Sequence, residues 1–216
     1  MKDKIKRILS KIFGNTTYFE PLVDKTAYPA IEEGYAGGSL ADSNVLVVAD
    51  CEDIKEEAFS LLKREKAYVN FYHIHSCDEL DLSEAEAKFI GKIDHIINIV
   101  SDKDKDVFDG AEYNNEDANS FVYLLLKKET DYLAARDRYS TLTTAFLHDE
   151  SESSELQSSS IAMCIRGLGK VLSNHHIINN GLVASSKVPI KDIVNTACFL
   201  ASKYGQVMSG EVIRLK

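Results

Sequence analysis

Basic residues are in short supply in this 216-residue sequence: 25 Lys and Arg stand against 34 Asp and Glu, a formal net charge of −9. Phosphate binding needs basic surface, so the balance excludes a nucleic-acid partner. Long apolar runs are missing too; none approaches the ~18 residues of a membrane-spanning helix. The apolar residues near the N-terminus are broken up by Lys and Arg, and no small-residue cleavage site follows them, which argues against a secretory signal. Cysteine is sparse and scattered: Cys51, Cys77, Cys164 and Cys198 form no C-x-x-C pair. That excludes a zinc framework and a disulfide scaffold, and predicts free thiols in a reducing cytoplasm. No Gly-x-Ser-x-Gly elbow is present, so the serine-rich stretch 152–160 reads as a loop ending in a helix N-cap rather than a nucleophile site.

What is there is ordinary for a globular chain: 44% hydrophobic and 27% charged residues, with length for one domain. Residues 1–43 stand apart. Within 1–13, Lys2, Lys4, Lys6, Arg7 and Lys11 oppose the single acid Asp3. Ile5, Ile8, Leu9, Ile12 and Phe13 recur at helical spacing, which predicts an amphipathic helix stopped by Gly14 and Asn15. Residues 16–43 hold two of the three prolines, Pro21 and Pro29, and Gly37-Gly38, as in an extended connector. The basic helix docks on its own acidic body or on a partner, or makes weak contact with an anionic membrane surface through residues 2–13.

From Asn44 onward strand and helix patterns alternate. NVLVVAD (44–50), AYVNFYHI (67–74), IDHIINIV (93–100), TLTTAFLH (141–148), HIINNGLVA (176–184) and GEVIRL (210–215) read as strands. Helical spacing lies between them at 54–66, 83–92, about 118–135, 158–174 and 188–203. Ser83 and Glu86 suggest a capping box at the second of these helices, and Pro189 opens the last. The prediction is an α/β, Rossmann-like, doubly wound parallel sheet of about six strands over 44–216, with helices on both faces.

The closing segment PIKDIVNTACFLASKYGQVMSGEVIRL (189–215) resembles that of short-chain dehydrogenases/reductases. It has Asp192-Ile193 opening a helix, Phe199 to Ser202 ending it, and Ser209-Gly210 before the last strand. IRGLGKVLSNHHIINN (165–180) and IDHIINIV resemble two further segments of that family, with one βα unit missing from the first half. The resemblance implies where the family's chemistry would fall. Its phosphate-binding turn corresponds to Ala49, Asp50, Cys51, Glu52 and Asp53, without a glycine and with three carboxylates where phosphates would lie. Acids at a helix N-terminus have the plain alternative use of capping and offsetting the dipole. The catalytic tyrosine and lysine fall on Ser158 and Ala162, which supply no proton-transfer group near neutrality and no charge. The Asn-Asn-Ala-Gly motif survives only as Asn98, the Pro-Gly of the nicotinamide pocket aligns with Val183-Ala184, and the family's serine falls near His148 or Asp149. A Tyr-x-x-x-Lys string at Tyr123 and Lys127 lies one βα unit too early and reads as chance.

His73 and His75, His95, and His175 with His176 are too few and too dispersed for a metal site. The sequence therefore predicts a degenerate, shortened family member without catalytic residues, cofactor or metal, acting as a binding or assembly subunit. The resemblance implies a homodimer through helices near 118–135 and 158–174, or a heterodimer with an active relative. Two alternatives stay open. One is an NAD(P)-dependent oxidoreductase with a rearranged active site; the other is a small-ligand module using a vestigial pocket around Asn98, Asn180, Ser158 and Ala162.

Overall fold

The computed structural model describes residues 39–102, 118–136, 138–149, 151–202, 204–205 and 208–215. The predicted helix at 1–13 and nearly all of the connector lie outside them. Six parallel strands form one sheet: β1 (Asn44–Ala49), β2 (Tyr68–His73), β3 (His95–Ser101), β4 (Ser140–His148), β5 (Ile177–Ser185) and β6 (Val212–Leu215), in the order β2-β1-β3-β4-β5-β6. The helices are α1 (Lys55–Arg64), α2 (Leu82–Ala87), α3 (Ala118–Ala134), α4 (Glu152–Leu172) and α5 (Ile190–Ala201). No described helix is long and apolar enough to cross a membrane.

Alternation along each strand divides the interior into two cores. Val45, Val47 and Ala49 of β1 face α1 and α5, alongside Ile97, Ile99, Leu61 and Val194. Leu46 and Val48 face the other way, with Ile96, Val100, Leu125 and Ile165 under α3 and α4. All six residues of β1 are buried, and after Asn44 its sequence is an unbroken β-branched and apolar run, as burial on both faces requires. The chain leaves β1 for β2 on one side and returns to β3 on the other, so the sheet's switch point lies between β1 and β3. Against the doubly wound order, no strand lies beyond β2 among the described residues.

Two boundaries differ from the sequence prediction. The second helix ends at Ala87 and is capped by Asp81, whose Oδ1 accepts from the N–H groups of Ser83 (2.9 Å) and Glu84 (3.0 Å). Glu86 is not part of a capping box: it turns inward to the Ile93 N–H and to Lys92 and Arg136. The loop predicted at 152–160 is helix as well. Ser151 caps α4 by accepting from the Ser154 N–H (3.2 Å), while Glu152 and Glu155 sit at the positive end of the helix. The Ser158 and Ser159 hydroxyls donate back to the Glu155 carbonyl, which accommodates serine inside a helix.

Near the end of the chain, Gly210 (φ 78°) lies against Gly169 of α4, and a Cβ on Gly169 would overlap the Gly210 backbone. The Gly210 N–H donates to the Asn179 carbonyl of β5 (2.7 Å) and the Ser209 hydroxyl to the Gly169 carbonyl (3.1 Å). The Ser-Gly pair read from the sequence therefore clamps helix α4 to the strand pair β5–β6.

Candidate functional site

In open parallel sheets, ligands bind outside the carboxyl ends of the strands at the switch point. Here that position lies between the ends of β1 and β3. The Asp50 N–H donates to the Ile99 carbonyl (3.3 Å), which carries β1 pairing one residue past the strand. The Asp50 carboxylate then spans the gap. Its Oδ2 accepts from the Ser101 N–H (2.9 Å) and from the Ser101 hydroxyl (3.0 Å). Behind it, a His73 ring nitrogen lies 3.3 Å from the Asp50 carbonyl.

Beyond Asp50 the chain passes through extended Cys51 into a 3-10 turn, Glu52–Ile54, and on into α1. Glu52, Asp53, Glu56 and Glu57 crowd this helix start, with no side-chain cap among them. Lys55 pairs loosely with Glu52 at 3.7 Å.

One strand further along, the pattern repeats. The Asp102 carboxylate, just past β3, accepts from the Asp149 N–H (3.0 Å) past the end of β4 and from the Ser154 hydroxyl of α4. Burial holds the Asp102 carboxyl above its ordinary value, although the Asp149 N–H works against that rise. Asp149 is held low by the N–H and hydroxyl of Ser151. Two successive strand ends are thus bridged by carboxylates of the chain itself.

The positions matched to the family's catalytic pair are closed off. Ser158 has no exposed surface and its hydroxyl is engaged by the Glu155 carbonyl at 2.8 Å; Ala162 is likewise buried. Val183 and Ala184 lie within β5, and His148 ends β4 beside Ser185. Tyr123 and Lys127 both lie on the exposed side of α3, where Lys127 pairs with Asp131 at 3.5 Å.

Asn98 and Asn180 do not share a pocket. Asn98 alternates with Ile97 and Ile99 and so faces α3, whereas Asn180 shares its side of β5 with Leu182 and Ala184, facing α5. The two are on opposite faces of the sheet, and both are buried. Asn180 instead fastens the chain before β6, donating to the Met208 carbonyl (2.7 Å) and accepting from the Glu211 N–H (3.1 Å).

Asn98 has a partner that sequence reading missed. Its Nδ2 donates to Glu129 Oε2 of α3 at 2.7 Å. Glu129 is wholly buried with no cation beside it among the described residues, and burial pushes its carboxyl up to about 8, with the Asn98 amide opposing. The signal was present: Val122, Leu125, Leu126 and Leu133 mark the buried stripe of α3, and Glu129 falls on it at helical spacing.

The histidines stay apart in role. The His73 and His75 rings meet edge-on, with centroids 4.5 Å apart. His95 lies 2.7 Å from the Thr141 hydroxyl, and burial lowers it to about 4. Among the described residues, no three His, Cys, Asp or Glu side chains gather as metal ligands.

No protein-family model and no curated protein matches the chain by sequence. Solved structures do match its fold. A short chain dehydrogenase from Mycobacterium smegmatis superposes with a TM-score of 0.62 at 14% identity, covering 86% of this chain and 98% of that one. An enoyl-[acyl-carrier-protein] reductase (NADH) from Aquifex aeolicus VF5 superposes with a TM-score of 0.61 at 18% identity, covering 82% and 96%. The chain therefore has the short-chain dehydrogenase fold, with a parallel six-stranded sheet in the Rossmann manner. Fold alone does not carry activity.

Proposed function

We propose that this chain is a non-catalytic protein of short-chain dehydrogenase fold that serves as a binding or assembly subunit. The observation that carries this reading is the Asp50 bridge to Ser101 at the switch point. A dinucleotide seated there needs free N–H groups and close backbone approach for its pyrophosphate. Asp50 already takes up the Ser101 N–H, and Glu52 and Asp53 add like charge at the start of the following helix. Seating a diphosphate would mean breaking two hydrogen bonds to a carboxylate and bringing like charges together. These residues do not fit the cofactor of the family, and Ser158 and Ala162 offer no acid–base group in its place. Addition of NADH or NADPH to the full-length chain, followed by cofactor fluorescence, should give no saturable signal. Micromolar binding, or hydride transfer by purified protein, would restore the oxidoreductase reading that the structural neighbours suggest.

Assembly is supported by the outer faces of α3 and α4, which pack side by side. Tyr123 and Leu124 on α3, and Leu156, Met163 and Val171 on α4, are exposed; Met163 keeps 67% of its surface open. Leu156, Met163 and Val171 recur at seven- and eight-residue intervals, one stripe of the helix. A second copy related by two-fold symmetry is the favoured occupant, since closed dimers are the commonest assemblies; an active relative of the same fold is the other. Sedimentation of the wild type should give a dimer, and Met163→Asp a folded monomer. A wild type that sediments as a monomer at tens of micromolar would remove the homodimer and leave the heterodimer to be sought. The four cysteines, none of them in a disulfide among the described residues, accord with residence in a reducing compartment, the cytoplasm.

A further inference from the structure

A polar island interrupts the apolar core beneath α3 and α4. Asn98 of β3 and Thr144 of β4 stand opposite one another in the parallel register, and neither has exposed surface. The Asn98 Nδ2 lies 3.4 Å from the Thr144 hydroxyl and donates to Glu129 Oε2 at 2.7 Å. Glu129 meets them from the middle of α3 and is itself entirely buried. The core they interrupt is hydrocarbon, with Val48 of β1, Ile96 of β3, Phe146 of β4 and Ile165 of α4 among its members. The titratable group on this face of β4 is His148, four residues on and so about 13 Å along the strand. Glu86 and Arg136 engage each other at the amino ends of the strands (3.0 Å). On α4, Glu152, Glu155, Arg166 and Lys170 are exposed, as are Lys127 and Asp131 on α3 itself. A carboxylate on Glu129 would exchange its hydration for a neutral amide donor, a poor replacement.

The two ends of α3 are fastened unequally. At its start, the Cys77 thiol donates to the Phe121 carbonyl (3.3 Å) and the Lys128 ammonium to the Cys77 carbonyl (2.9 Å). Just past its end, Arg136 donates to the Ile93 carbonyl (3.1 Å) as well as pairing with the largely buried Glu86. Glu129 lies between the lighter and the heavier fastening. α4 runs alongside, and the outer faces of the two helices carry Tyr123, Leu124, Met163 and Val171.

We infer that α3 is a pH-gated element: ionisation of Glu129 drives the start of α3 off the sheet about its Arg136 end, and so dismantles the α3–α4 face on which subunits meet. The consequence for association rests on the assembly reading above; the movement does not. Its direction follows from linkage. Burial raises the Glu129 carboxyl to about 8 from an ordinary 4.5, so the closed helix favours the proton. Raising the pH through that range favours whatever state lets the carboxylate reach water. The chain associates near neutrality and separates in alkali.

Cys77 reports the movement, because its buried thiol is held against α3. Full-length wild type and Glu129→Gln are labelled with iodoacetamide at pH 6.5 and pH 9, and each cysteine is read by peptide mass spectrometry. The ratio of wild-type to variant labelling cancels the ordinary rise in thiolate with pH. At Cys77 that ratio should rise about 30-fold between the two pH values, as 8 in the closed state and 4.5 in the open state require. At Cys198, buried in the other core, it should stay constant. Glu129→Met, of similar length and without a titrating group, supplies the comparison a second time. An unchanged ratio at Cys77 overturns the inference; so does an equal rise at Cys198, which means that the whole domain unfolds. Sedimentation of the same proteins separates movement from consequence. Wild type should lose its dimer between pH 6.5 and pH 9 while Glu129→Gln keeps it. A monomer already at pH 6.5 removes the assembly reading and leaves the Cys77 result to decide the movement, whereas a dimer equally strong at both pH values overturns the coupling.

Discussion

The two ends of the strands treat their carboxylates differently. At the amino ends acids meet cations: Glu86 pairs with Arg136 (3.0 Å) and Lys92 (2.6 Å), and Asp94 pairs with Arg138. At the carboxyl ends, Asp50 and Asp102 meet backbone N–H groups and serine hydroxyls instead. The first arrangement is an ion-pair network that fastens α2 and the end of α3 to the sheet. The second fills, with the chain's own acids, the donors that a strand end would otherwise offer to a bound anion. Glu129, midway along and under α3, meets the Asn98 amide and, among the described residues, neither kind of partner.

The contrast can be broken first at the amino end. Burial acts to raise the Glu86 carboxyl, but hydrogen bonds from Lys92, the Ile93 N–H and Tyr132, with the Arg136 charge, hold it below its ordinary value. Both Arg136 and Glu86 are largely buried. Arg136→Ala would leave that acid without its inner partner and should cost about 3–5 kcal/mol in urea unfolding, the usual effect of breaking a buried pair.

Glu129 sharpens the comparison through pH. Folding favours its neutral form, because its folded value is about 8 against an ordinary 4.5. The stability it contributes is complete below pH about 4.5 and is lost as pH rises through about 8, at up to about 1.4 kcal/mol per pH unit. Glu129→Gln keeps the shape and removes the titration, so it should flatten that decline and gain up to about 5 kcal/mol at pH 8. Urea titrations of both proteins between pH 5 and pH 9 check this, and parallel curves would mean that Glu129 is solvated. At the carboxyl end, Asp50→Asn should cost only about 1 kcal/mol by the same assay, since an amide oxygen still accepts from Ser101.

The sequence made the scaffold readable because it is written in short-range pattern. β-Branched runs marked the buried strands, and Ser209-Gly210 marked the tight approach to α4. It also placed Asp50, Glu52 and Asp53 at the end of the first strand. What it could not give was partnership across distance. Ser101 is 51 residues from Asp50, and Glu129 is 31 from Asn98. Asn98 and Asn180 were grouped as one pocket because each lies in a strand, but pleat alternation on separate strands sends them to opposite faces. The start of α4 was missed because serines inside a helix look like a loop until their hydroxyls are seen donating backward to the Glu155 carbonyl.

The claim beneath this reading is that Asp50 stands where a bound anion would, holding the Ser101 N–H at the switch point. The backbone amide resonance of Ser101, followed by NMR while NADH is added to full-length protein, tests it most directly. The account predicts a resonance that stays in place at millimolar NADH. A saturable shift of Ser101 with a micromolar midpoint would contradict it.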